Sequence, residues 1–145
     1  MMKLFYAAFT YMVLGVLSGL FYREFTKLND FPEGEFTQLG LVHTHLLALG
    51  FLVFLIVLTL EKLFTISASK KLFGWFFWLY NAGVVLAAAT MVWNGMLTVE
   101  GKESTKMIAG IAGTGHMLIT AGLIVFFIGL GRAVKKSNFK ESVAS

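Results

Sequence analysis

The chain has 145 residues, 57% of them hydrophobic, with a formal net charge of +4. A mean hydropathy of +0.77 is too apolar for a soluble domain of this size, and the basic excess has a membrane explanation that leaves no reason to invoke a nucleic-acid partner. Cysteine is absent, which excludes disulfides, thiolate metal ligands and covalent c-type heme attachment.

Met-Met-Lys followed by the apolar run 4–22 resembles the start of a signal peptide. The run is too long for one, and no small-x-small cleavage site precedes Arg23, so it is expected to stay as a span. Residues 23–38 hold the only proline, Pro32, together with Gly34, and read as a structured turn. The second run, 39–60, is followed by a short basic link, 61–71. The third, 72–97, leads through the link 98–106 into the fourth, 107–130, and a polar tail expected to fray. None of the four runs contains Asp, Glu, Lys or Arg, and each meets the ~20 residues needed to cross ~30 Å of hydrocarbon. Short links make neighbours antiparallel. The prediction is an all-α, integral-membrane four-helix bundle, up-down-up-down, over residues 1–131, with a short basic tail at 132–145.

Charge sets the expected orientation. Lys3, Lys62, Lys70, Lys71, Arg132, Lys135, Lys136 and Lys140 fall on one side. Arg23, Lys27, Lys102 and Lys106 fall on the other, with most of the acids. The positive-inside rule then places both termini in the cytoplasm, in a bacterial-type plasma membrane. Trp75, Phe76, Phe77, Trp78 and Tyr80 near the inner end of the third run, and Trp93 near its outer end, read as interfacial aromatic belts. Asn94, beside Trp93, reads as structural.

Three histidines carry the functional signal: His43 and His45 in the second run, His116 in the fourth. An ionisable side chain inside a span is costly and marks a functional site by default. Desolvation keeps an imidazole neutral, the form that binds metal. The second and fourth runs point the same way, and counting from Lys62 and Arg132 puts all three imidazoles at comparable depth. At ~100° per residue, His43 and His45 diverge by ~200°, so a compact three-histidine zinc site is not expected. One histidine from each run, on opposite sides of a heme iron, fits better. Gly50, on the His43 face, and Ala109, Ala112 and Gly113 around His116 offer missing side chains beside a flat ligand, or simply close helix packing. Heme propionates would need a cation, for which the outer-side Arg23, Lys27, Lys102 and Lys106 are candidates, with Tyr22 and Trp93 as hydrogen-bond donors.

Val-His-Thr-His followed by an apolar run resembles the second helix of the heme-copper oxidase superfamily, in particular the Leu-His-Thr-Asn segment of its nitric-oxide reductases. That resemblance implies low-spin heme b, with His43 as one ligand and His116 on a later parallel helix as the other. It spans only ~10 residues; a complete oxidase centre needs more histidines than this chain has, and Gly40 stands where the superfamily usually has Arg. The His-x-His and Gly-x-Gly-His pattern is also similar, over nearly the whole chain, to small four-span membrane proteins of unassigned function.

The leading expectation is thus a b-type heme protein with His43 and His116 as axial ligands and His45 as the alternate. Its role would be electron transfer, redox sensing or diatomic-gas sensing, with an unidentified redox partner. The second reading is copper binding or transport, with His43 and His45 joined by Met96 and Met107. The third has no cofactor, the histidines being structural or lining a proton path. Bundles this small leave a heme edge open to lipid, so a homo-oligomer, dimer or trimer, is expected.

Overall fold

In hydrocarbon the backbone has no partner but itself, so each apolar run must close into a helix. A computed structural model describes residues 1–144, and side chains as far as residue 139. It has four helices long and apolar enough to cross a membrane and, among the described residues, no strand. The first span is α1 (Met2–Leu28). The second changes winding along its length: α2 (Leu39–His45), a π-helical segment Leu46–Leu52, then α3 (Val53–Phe64). The third and fourth are α4 (Lys70–Val99) and α5 (Lys106–Ala144). This is the predicted all-α, four-helix arrangement.

Helix α4 is the hub, with 44% of its apolar window buried against 22–28% for the other spans. One flank carries α5. A Cβ on Gly83 would stand 2.8 Å from the carbonyl of Gly115, and one on Gly115 would stand 3.0 Å from the amide of Ala87, so the two backbones touch. Lipid tails give helices no hydrophobic reason to associate, and small residues that permit such contact supply van der Waals attraction instead. The opposite flank, with Val85, Ala89 and Val92, lines an apolar groove shared with Leu14 and Leu17 of α1. Between the flanks α4 meets the second span, where Gly95 lies against the backbone of Leu39. Helix α1 packs on the second span, whose contact with α5 runs through α3. Thus α1 and α5 lie on opposite sides of the pair formed by α4 and the second span.

The core is aromatic. Phe54, Phe76 and Tyr80 are fully buried, Tyr11 stacks on Phe54, and Phe76 packs against Phe126. The expected inner aromatic belt therefore divides: Trp75 and Trp78 are exposed, whereas Phe76 and Tyr80 point inward. Two polar side chains find partners far along the chain. The Tyr11 hydroxyl donates to Asn81 Oδ1 at 2.9 Å, and the Thr37 hydroxyl donates to the Gly95 carbonyl at 2.9 Å.

The helix of the fourth span does not end at residue 130. Helix α5 runs 39 residues, about 58 Å at ~1.5 Å per residue against ~30 Å of hydrocarbon, so residues 132–144 continue the helix rather than fray from it. Ser145, and the side chain of Lys140 counted among the inner cations, lie outside the described residues.

Candidate functional site

The rotation of the second span decides what each histidine can do. His43 faces α1: a Cβ on Gly19 would lie 3.7 Å from His43 Cβ, and one on Gly15 would lie 3.6 Å from the His43 carbonyl. Its ring is half-buried, and its Nδ1 is buried without a hydrogen-bond partner. His45, ~200° further round, is carried away from α1.

His45 and His116 share one local geometry. His45 Nδ1 lies 2.9 Å from the carbonyl of Leu41, and His116 Nδ1 lies 2.9 Å from the carbonyl of Ala112. A carbonyl only accepts, so each Nδ1 carries the proton and donates. That leaves each Nε2 directed away from its own helix. A backbone carbonyl holding Nδ1–H is the usual outer support of a metal-ligating histidine, because it fixes tautomer and ring plane. His43 has no such support.

Depth follows from α4 as a ruler. Leu39 is level with Gly95, and Gly115 sits between Gly83 and Ala87. Stepping along antiparallel helices, His45 comes level with Ala89 and His116 with Val84, about 8 Å deeper. His43 stands still further out. The equal depth expected from the basic residues does not hold, because Arg132 lies within a continuing helix and marks no helix end.

The accessory residues divide. Gly50 is explained by packing: a Cβ there would stand 2.3 Å from Cγ of Tyr11, so its missing side chain is filled by that ring and not by a ligand. Gly113 has open space around it, with no atom within 4 Å of a built Cβ, and Ala112, half-buried, supplies the carbonyl that orients His116. Arg23 is exposed, 3.7 Å from Glu24, and belongs to α1, on the flank away from α5. Among the described residues, no three histidine or carboxylate side chains gather to hold a metal ion.

Several working residues escape a search for histidines. Tyr80, fully buried, donates its hydroxyl to the Leu49 carbonyl inside the π-helical segment at 2.9 Å. Glu61, also buried, accepts from the Ser67 amide at 2.8 Å and from its hydroxyl, which secures the turn into α4. Their signal in the sequence is a polar group inside or at the edge of an apolar run. The oxygen Oδ1 of Asn94 is buried without a partner.

Four apolar helices, with imidazoles in two of them and little chain between, define a small four-span integral membrane protein. The chain belongs to the family described as protein of unknown function (DUF2871), whose model matches residues 1–133 and so takes in all the spans and every histidine. No curated protein and no solved structure matches it.

Proposed function

We propose that this protein binds heme b in the membrane, with His45 and His116 as the iron ligands and His43 as a packing residue against α1. The observation that carries the reading is the shared geometry of these two imidazoles. Each has Nδ1 tied to the carbonyl four residues earlier, which leaves its Nε2 without a partner among the described residues. The local resemblance to the oxidase helix favours His43; its contact with Gly19 and its unsupported Nδ1 favour His45 instead. Heme supplies reversible one-electron chemistry, or a site for a diatomic gas where one ligand yields. The protein's part is to hold two imidazoles by backbone carbonyls and to leave room at Ala112 and Gly113.

The test is the absorption spectrum of purified variants. His45→Ala and His116→Ala should each lose heme or turn a low-spin spectrum high-spin, while His43→Ala keeps the parent spectrum. If His43→Ala abolishes the low-spin bands and His45→Ala spares them, the assignment within the second span is wrong.

A further inference from the structure

At the lysine-rich end, α5 emerges beside the link between the second and third spans, and the two enclose a pair of adjoining cavities. One, of about 220 Å³, is lined by Thr65, Ser69, Arg132 and Lys136 among others. The second, of about 330 Å³, shares Thr65 and Lys136 and adds Ser137. Both are at or below the lower end of the ~300–1,000 Å³ typical of small-molecule sites, a size suited to a headgroup.

Among the described residues the cations here have no ion-pair partner. Arg132 and Lys136, one turn apart on α5, have no acidic partner among the described residues, where the ion pairs are Arg23–Glu24 and Glu100–Lys102 at the other end. Glu61, the acid closest in sequence to this link, is occupied by Ser67. Thr65 and Ser69 line the cavity, and among the described residues neither hydroxyl caps the helix it precedes. Lys70 and Lys71 add two cations at the start of α4, where they line a further cavity with Trp75 and Trp78. Those two indoles are 62% and 69% exposed, and exposed Trp beside Lys marks the level of lipid headgroups.

We infer that the cavities between α5 and the link form a binding site for the phosphate of an anionic phospholipid, with Arg132 and Lys136 as the charged ligands and Thr65 and Ser69 as hydroxyl donors. Exposed Leu63 borders the site with apolar surface, which suits an occupant whose tail stays in the bilayer. A basic pocket between helices at a membrane surface is the arrangement that selects lipid headgroups over a diffuse counter-ion cloud.

The experiment uses the full chain reconstituted in phosphatidylcholine vesicles carrying trace spin-labelled phosphatidylglycerol or spin-labelled phosphatidylcholine. The motionally restricted fraction should favour phosphatidylglycerol roughly tenfold, as two closely placed cations allow. The double variant Arg132→Gln/Lys136→Gln should bring the preference close to unity, and Arg132→Lys/Lys136→Arg should retain most of it. The pair Lys102→Gln/Lys106→Gln, with the same charge loss at the opposite end, should leave it unchanged. An absent preference, one that survives Arg132→Gln/Lys136→Gln, or one lost equally in the opposite-end pair overturns the site. Displacement of the labelled lipid by millimolar inorganic phosphate, but not by sodium chloride of equal ionic strength, assigns the cavity to soluble phosphate and overturns the lipid assignment.

Discussion

At the scale of single residues, a buried hydrogen bond or a missing methyl decides each position. Gly50 leaves the space that the Tyr11 ring fills, and a methyl there would stand 2.3 Å from Tyr11 Cγ. Gly50→Ala should therefore separate α1 from the second span and cost about 1–3 kcal/mol, the range for overpacking, read as a lower unfolding midpoint in mild detergent. Tyr11→Phe removes the bond to Asn81 while keeping the ring, and should cost less, about 0.6 kcal/mol and at most ~1.7. A larger loss for Tyr11→Phe than for Gly50→Ala would contradict this ranking. The sequence discloses which residues are anomalous in an apolar run, namely the histidines, Tyr11, Asn81 and Tyr80. It does not disclose which way they point. His43 and His45 sit ~200° apart on any helix, but only the seating of His43 against Gly19 says which of them faces α1.

Among elements, the second span is the unusual one. Its π-helical winding over Leu46–Leu52 follows directly on His45, and π segments concentrate at functional sites. Widened winding displaces the backbone groups of a helix, and the Leu49 carbonyl is met by the Tyr80 hydroxyl from α4. Tyr80→Phe should leave that carbonyl with one partner fewer, destabilise the protein by about 1 kcal/mol, and perturb the signals of His45 more than those of His116. Equal perturbation of both histidines would argue against a local role. The link after α3 holds Thr65 at φ +53°, a left-handed conformation that a β-branched residue adopts at a cost. Thr65→Gly should therefore raise stability by up to about 1 kcal/mol, measured in the same unfolding assay. Four spans are legible because an uncharged run of more than ~20 residues has one stable form in a bilayer. The π segment is not, since Leu-Leu-Ala-Leu-Gly-Phe-Leu carries no winding preference that distinguishes it from α-helix. The continuation of α5 through Arg132 and Lys135 is equally hidden, because charged residues end a span without ending a helix.

For the whole molecule, orientation and association follow from what each surface presents. The excess of cations at the end holding Lys62, Lys70, Lys71, Arg132, Lys135 and Lys136 predicts that this end is cytoplasmic. A cysteine placed by Glu33→Cys should react with a membrane-impermeant reagent from outside, and one placed by Ser137→Cys should not; the reverse pattern would invert the topology. His116, Ala109, Gly110, Gly113 and Thr120 are all exposed on the outward side of α5. The small residues on this face allow another helix to approach. Crosslinking in native membranes should accordingly capture a dimer or trimer through α5, whereas a uniformly monomeric protein would leave that face uncovered. The central claim, however, concerns the ligand. Its most direct test is the visible spectrum of the unmodified protein, purified from cells supplied with heme. The account predicts a Soret band that shifts on reduction, with sharp α and β bands and one heme for each pair of His45 and His116. A colourless protein that takes up no heme on titration would contradict it.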